Sequence, residues 1–135
     1  MKKYFLGILF ILGVLGLVAC GKGEGETTEM TNETTYKRIT MEEAREIFEK
    51  EGDYVIVDVR RKDEYDSGHI PNAINIPNES IQDFEVAELP DKEQVIYVYC
   101  RSGNRSKQAA QKLVDQGYTN IVEFGGIMDW TGDIE

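Results

Sequence analysis

The chain has 135 residues and a formal net charge of −10 at pH 7. This acidity excludes a nucleic-acid-binding role, because a phosphate backbone would be repelled rather than neutralised. The single histidine and the 2 cysteines also supply too few ligands for a zinc site. We therefore expect no metal, no cofactor and no nucleic-acid partner.

The N-terminus carries an export signal. Lys2 and Lys3 precede an apolar run over residues 4–19, and the run ends in small residues. This run falls short of the ~20 apolar residues that a bilayer-spanning helix needs, which disfavours an uncleaved transmembrane segment. The sequence Leu-Val-Ala-Cys at its end resembles the lipobox of bacterial lipoproteins, in which the cysteine is thioether-lipidated. We expect residues 1–19 to be a lipoprotein signal peptide and Cys20 to be the lipid anchor of an extracytoplasmic protein held at a bacterial membrane.

Residues 20–35 are predicted to form the lipidated cysteine and a flexible linker. Beyond Cys20 they are mainly Gly, Lys, Glu, Thr and Asn, and so bury too little apolar surface to offset the entropy of ordering. Lipidation of Cys20 also removes it from disulfide pairing. Cys100 is then the one free thiol, which argues against a dithiol oxidoreductase and requires a mechanism that uses a single cysteine.

Residues 36–135 have room for one domain with a single core. Thr40 and Glu43 can form a capping box for a helix whose buried stripe includes Met41, Ala44, Ile47 and Phe48. The strands predicted after it lie over 54–59, around Ile74 and Ile76, over 95–99 at the centre of the sheet, and over 120–124. Two further helices are predicted, one over 80–89 and one over 106–116. The first of these is expected to point Ile81, Phe84 and Leu89 inward. Strands that alternate with helices favour an α/β fold, a parallel sheet with helices on both faces.

The most informative segment begins at Cys100, between the central strand and the following helix. The free amides and the dipole of a helix N-terminus favour a thiolate, and two arginines add positive charge. Such a turn suits an anion bonded to the sulfur or attacked by it. Apolar packing of a buried strand-end cysteine, the alternative interpretation, calls for none of the flanking Arg, Gly and Asn residues. The predicted substrate-binding residues are Arg101, Ser102, Gly103, Asn104, Arg105 and Ser106.

Loop length indicates which anion is bound. Four residues separate Cys100 from Arg105, one fewer than in protein tyrosine phosphatases. The smaller ring of amides suits a single added sulfur atom better than a tetrahedral phosphoryl group. A small-anion phosphatase or an arsenate reductase is therefore disfavoured.

Several motifs together resemble the single-domain rhodaneses, which are sulfurtransferases. The resemblance is carried by Asp58-Val59-Arg60, Glu64-Tyr65, the Gly-His-Ile-Pro-Asn-Ala-Ile-Asn-Ile-Pro run at 68–77, the Cys100 loop, and Gly125-Gly126 before Trp130. It implies a rhodanese-like parallel sheet and transfer of a sulfane sulfur from a thiosulfate-like donor, through a persulfide on the catalytic Cys100, to a thiol or cyanide. The family also uses a six-residue loop, as here, for sulfur transfer. Asn72 replaces the usual glycine, which a left-handed backbone tolerates.

Three further residues are predicted to support the site rather than to react. Asp58 and Arg60 are expected to pair with each other or with neighbouring loops. His69 belongs to a structural turn in the resemblance, which disfavours a role as general base. The alternative to an enzyme is a non-catalytic persulfide carrier, sensor or interaction module of the same fold.

Overall fold

The computed structural model describes residues 35–135. The predicted signal peptide at 1–19, the lipid anchor at Cys20 and all but the last residue of the 20–35 linker lie outside the described residues. In the described part, no helix is both long enough and apolar enough to cross a membrane.

All strand pairs in the sheet are parallel, as the alternation of strands and helices predicted. Within residues 35–135 the sheet has five strands, in the spatial order β1-β5-β4-β2-β3. Their bounds are β1 Lys37–Arg38, β2 Tyr54–Asp58, β3 Ile74–Asn75, β4 Val95–Cys100 and β5 Ile121–Gly126. Because β4 lies between β2 and β5, its carboxyl end is at the centre of one edge of the sheet, where open α/β sheets place their sites.

Helices cover both faces of this sheet. They are α1 Met41–Phe48, α2 Lys62–Asp66 and α3 Asn104–Asp115, with short 3₁₀ turns at Asn78–Ser80 and Ile127–Asp129. The predicted capping box starts α1, since the Thr40 hydroxyl accepts from the Glu43 amide at 3.0 Å and the Glu43 carboxylate accepts from the Thr40 amide at 2.9 Å. Helix α2 was not anticipated from the sequence.

The core has two layers, one on each face of the sheet. Ile96, Val98 and Cys100 of β4 face the layer that contains Ala109 and Leu113 of α3. The intervening Tyr97 and Tyr99 face the other layer, which contains Met41 and Ala44 of α1. This alternation follows from the two-residue period of a strand and leaves β4 buried on both sides.

The helix predicted over residues 80–89 is wrong. The structure has the Asn78–Ser80 turn followed by bends, and Phe84, expected to point inward, is 68% exposed. Ile81, Val86 and Leu89 are the buried apolar residues of this segment. These three side chains pack into the core layer on the α3 side of the sheet although the segment forms no α-helix, so side-chain packing, not helical periodicity, determines the path of the chain.

Asn72 has a left-handed backbone, with φ of 72°, which is the condition under which asparagine can replace the usual glycine. Among the non-glycine residues of the described part, it is the only one with a positive φ. Asparagine is among the residues that tolerate this conformation best, so the replacement of the usual glycine leaves the turn intact.

Candidate active site

Cys100 ends β4, and the backbone folds over its sulfur. The Gly103 amide donates to Cys100 Sγ at 3.0 Å, and Ser106 Oγ lies 3.5 Å from the same sulfur. Gly103 is the N-cap of α3, with φ of +109°, a conformation in which a side chain would be strained. Cys100 has no exposed surface. The sulfur therefore lies beneath the N-terminus of a 12-residue helix, where positive partial charge is concentrated.

Gly126 of β5 allows the loop to lie close against the sheet. A Cβ atom at this position would be 2.0 Å from the Arg101 carbonyl oxygen and 2.6 Å from the Ser102 Cα atom. The Arg101 carbonyl also accepts from the Met128 amide at 3.2 Å. The Gly125-Gly126 pair of the sequence motif thus allows the backbone of the cysteine loop to pack directly against β5.

Arg105 is held by an ion pair with Glu64 of α2. Its terminal nitrogens donate to the two carboxylate oxygens at 2.8 and 3.2 Å. The hydrogen bonds from Arg105 lower the pKa of Glu64 to about 2, and the reciprocal bonds raise the pKa of Arg105.

This pair revises one expectation about charge, because both arginines were expected to present positive charge to an anion. Glu64 balances the charge of Arg105. Arg101 is exposed, and within residues 35–135 its side chain forms no ion pair. The freely available positive charge at the loop comes from Arg101 and the helix N-terminus.

Asp58 and Arg60 form a buried pair at the carboxyl end of β2. Arg60 Nη2 donates to Asp58 Oδ2 and to the Gly68 carbonyl, both at 2.7 Å. Burial lowers the pKa of Arg60, but the hydrogen bond and charge of Asp58 outweigh this effect and the pKa is raised. Tyr99, next to the cysteine, donates to Asp58 Oδ2 at 2.7 Å. Burial, followed by the charge of Asp58, raises the pKa of Tyr99. The network fastens the end of β4 to β2 and to the turn at Gly68.

His69 lies in that turn and contacts other groups of the turn. Its Nδ1 is 3.0 Å from the Tyr65 carbonyl oxygen, and its ring stacks on Tyr65 with centroids 3.8 Å apart. Its backbone exchanges two hydrogen bonds with Glu135. The contacts of its ring and of its backbone therefore indicate a structural role for His69 in the turn.

Ser102 and Asn104 are exposed at the rim of the loop, whereas Ser106 is buried.

Trp130 packs against the aromatic layer that contains Phe48 and Tyr54, and these three side chains line a cavity of about 350 Å³. In the part of the chain that the structure describes, no three His, Cys, Asp or Glu side chains gather in a way that could hold a metal ion.

Glu123 is a site residue that the sequence analysis missed. It is fully buried in β5, and its Oε2 accepts from Ser106 Oγ at 2.6 Å and from the Gly125 amide at 3.0 Å. Its Oε1 accepts from Arg38 Nε at 3.0 Å. A signal was available, because a glutamate in the otherwise apolar segment Ile-Val-Glu-Phe is unusual unless it is paired.

The fold and the site together define a class of protein. It is a parallel α/β domain in which a cysteine at a strand end lies under the amides of a helix N-terminus, an arrangement that stabilises an anion on the sulfur.

The comparisons place the domain in a family. The family model described as "Rhodanese-like domain" matches residues 40–133, and the chain belongs to this family. It is 40% identical over 96 residues to thiosulfate sulfurtransferase GlpE of Coxiella burnetii, covering 70% of this chain and 87% of that protein. The crystal structure of SSP1007 from Staphylococcus saprophyticus, 33% identical, superposes with a TM-score of 0.65 and covers 73% of this chain and 98% of that one.

A longer relative matches this chain over part of its own length. Adenylyltransferase and sulfurtransferase uba4 of Ogataea parapolymorpha is 34% identical over 119 residues, which cover 87% of this chain. The chain spans only 28% of the length of that protein.

Proposed function

We propose that the protein is a sulfurtransferase that carries a sulfane sulfur as a persulfide on Cys100. The observation that carries this proposal is the hydrogen bond from the Gly103 amide to Cys100 Sγ at 3.0 Å, at the N-terminus of α3. A backbone donor fixed on the sulfur stabilises negative charge there without reorganisation during the reaction. The name of the related GlpE protein, a thiosulfate sulfurtransferase, supports a thiosulfate-like donor.

In the proposed first step, the Cys100 thiolate attacks the outer sulfur of thiosulfate. A bond forms between Cys100 Sγ and that sulfur, and the sulfur–sulfur bond of the donor breaks, with its electron pair leaving on sulfite. The negative charge remains on the outer sulfur of the persulfide, where loop amides and the N-terminus of α3 stabilise it. In the second step a thiolate or cyanide takes the outer sulfur and Cys100 returns as a thiolate.

The buried cysteine implies that the loop moves during uptake of the donor. Cys100 has no exposed surface, so a donor reaches Sγ only when the groups that cover the sulfur, the Gly103 amide among them, are displaced. The exposed Arg101 supplies positive charge that attracts the dianionic donor to this opening in an otherwise acidic chain.

The proposal includes the location of the protein. The basic start, the apolar run and the Leu-Val-Ala-Cys sequence of residues 17–20 support a lipid on Cys20 and an extracytoplasmic domain tethered to a bacterial membrane. The acidity of the chain supports attachment by acyl groups rather than by basic patches, because anionic lipids would repel it.

Mass spectrometry after exposure to thiosulfate tests the function. We expect one added sulfur atom on Cys100, and its loss on addition of cyanide or a thiol with formation of the matching sulfur product. The C100S variant should gain no sulfur. A persulfide that forms but is not passed to any acceptor would indicate a carrier or sensor, and a wild-type protein that takes up no sulfur would refute the proposal.

A further inference from the structure

Glu123 is a buried carboxylate that the two transfer steps above do not use. It has no exposed surface, and a carboxylate removed from water lowers stability unless hydrogen bonds and charges compensate. Arg38, the Gly125 amide and Ser106 provide this compensation. Of these three, Ser106 also contacts the reactive sulfur.

The Ser106 hydroxyl links Glu123 to Cys100. Its oxygen is 2.6 Å from Glu123 Oε2 and 3.5 Å from Cys100 Sγ. The other two neighbours of this hydroxyl, the carbonyls of Gly103 at 3.0 Å and Gly125 at 3.4 Å, only accept hydrogen bonds. A hydroxyl has one proton, so at any moment it donates mainly to one of these acceptors, of which the Glu123 carboxylate is the nearest.

The direction of the hydrogen bonds from Cys100 through Ser106 to Glu123 depends on which of the two end groups carries the negative charge. When Glu123 is ionised, Ser106 donates to it and the Cys100 thiol donates to Ser106. When the sulfur is anionic, Ser106 must turn its proton to the sulfur, and a protonated Glu123 then donates to Ser106. Both arrangements give Cys100, Ser106 and Glu123 a hydrogen-bond partner, so the hydrogen bonds among these three groups permit either.

Charge repulsion couples the two ends of this chain. Two negative charges separated by one hydroxyl in a water-excluded site repel strongly, so the state with a single negative charge is favoured. The charged side chains near the pair are Arg38 of β1, which is paired with Glu123, and Arg105 of α3, which interacts electrostatically with Cys100, with Glu42 and Asp129 lining the surface cavity beside Arg38. Because Glu64 balances Arg105, the surroundings do not supply a cation for each end.

We propose that Glu123 accepts the Cys100 proton through Ser106 and holds it while the sulfur is anionic. The thiol proton passes to Ser106 Oγ, the Ser106 proton passes to Glu123 Oε2, and no other bond changes. The proton returns to the sulfur after the second transfer step has released Cys100 as a thiolate. Glu123 is thus a positioning residue that acts through Ser106. Its role during persulfide formation rests on the proposed function, whereas the proton exchange itself does not.

The first test is the pH dependence of alkylation by iodoacetamide in the full chain, followed at Cys100 by peptide mass spectrometry. In the wild type we expect a rate that is nearly level over about pH 6–8, because the proton is shared within the pair and not exchanged with solvent. In E123Q the alkylation rate should rise about tenfold per pH unit, as it does for an isolated thiol at pH values below its pKa. S106A should give the same profile, and the double variant should add nothing.

The matched control is E88Q, which removes one carboxylate from an exposed position and should keep the wild-type profile. Circular dichroism checks that each variant is folded. If E123Q fails to fold, S106A decides, because it removes only the linking hydroxyl. A wild-type profile without a level region, or a level region that survives in a folded E123Q or S106A, would overturn the proposal.

The second test is the infrared difference spectrum between the persulfidated and the reduced protein. We expect a protonated-carboxyl band to appear in the wild type and in E88Q, and to be absent from E123Q. Persulfidated protein without this band would also overturn the proposal. If thiosulfate adds no sulfur to the wild type, the proposed function fails, but the alkylation profile still decides whether the proton moves to Glu123.

Discussion

Glu64 accepts hydrogen bonds from both terminal nitrogens of Arg105, at 2.8 and 3.2 Å, and so ties helix α2 to the first turn of α3. The contact spans 41 positions in the sequence and fixes the end of the cysteine loop. Its two side chains are only 29% and 18% exposed, so solvent screens the pair less than a surface ion pair.

The pKa of Glu64 predicts an acid-dependent contribution to stability. The pKa falls from 4.5 to about 2 on folding, so the stabilisation is complete above about pH 4.5 and is lost as the pH falls toward 2. Urea unfolding should show that E64Q is less stable than the wild type by about 1–2 kcal/mol at pH 7, after allowance for solvent screening. The difference should shrink below pH 4.5 and vanish near pH 2.

Asp63 provides the control for Glu64, because it is also paired with an arginine but is exposed. D63N should change stability little at any pH. Equal losses in D63N and E64Q, or a loss in E64Q that does not depend on pH, would contradict the role given to the Glu64 and Arg105 pair.

The G126A variant should displace the cysteine loop. Its Cβ would lie 2.0 Å from the Arg101 carbonyl oxygen, a distance that the backbone must relieve by moving. We expect a stability loss of about 1–3 kcal/mol from overpacking, and a large loss of sulfur transfer from thiosulfate to a thiol.

G117A is the matched control for this variant. Gly117 has φ of +102°, and no atom lies within 4 Å of the position that a Cβ would take, so alanine there adds backbone strain without a collision. It should lose roughly 1–2 kcal/mol of stability and keep its transfer rate. Full activity in G126A would show that the loop does not depend on this close approach.

Insertion of one glycine between Gly103 and Asn104 tests the argument from loop length. The longer loop widens the ring of amides and gives Cys100 and Arg105 the spacing of the phosphatases. Sulfur transfer should fall by about 100-fold or more, because a preorganised site tolerates shifts of only about 1 Å. Aryl-phosphate hydrolysis should gain little, since no general acid is placed for it.

A glycine inserted between Asp83 and Phe84 serves as the control, because this exposed bend is remote in sequence from the cysteine loop. It should leave transfer nearly unchanged. Efficient phosphate hydrolysis by the wild type, with no reaction toward thiosulfate, would show that loop length does not select the anion as argued.

The C20A variant tests the lipid anchor. Without the acceptor cysteine, neither lipidation nor cleavage should occur, so the chain should accumulate as the larger precursor in a bacterial host. C100S is the control and should be processed normally, because it removes the other cysteine. Wild-type protein that retains residues before Cys20 and carries no acyl mass would refute the lipoprotein proposal.

Much of the fold could be predicted from local sequence patterns. The capping residues Thr40 and Glu43 mark the start of α1, and the apolar runs mark β2, β4 and β5, because burial and hydrogen bonding impose these patterns within one segment. The helix predicted over 80–89 is wrong because the pattern of buried residues in this segment is not imposed within the segment. Its buried residues are chosen by contacts with distant parts of the chain, which a local period does not record.

The cysteine loop was identified by sequence because its residues are contiguous. The order Cys100 to Ser106 places the sulfur, the glycine and the helix start within a few residues, so loop length and helix polarity alone indicate an anion on the sulfur. Only the tertiary structure determined which polar and charged groups of the loop are paired with other side chains. Arg105 is neutralised by Glu64, 41 positions away, and Ser106 is joined to Glu123, 17 positions away, by contacts that exist only once the parallel sheet brings strand ends together.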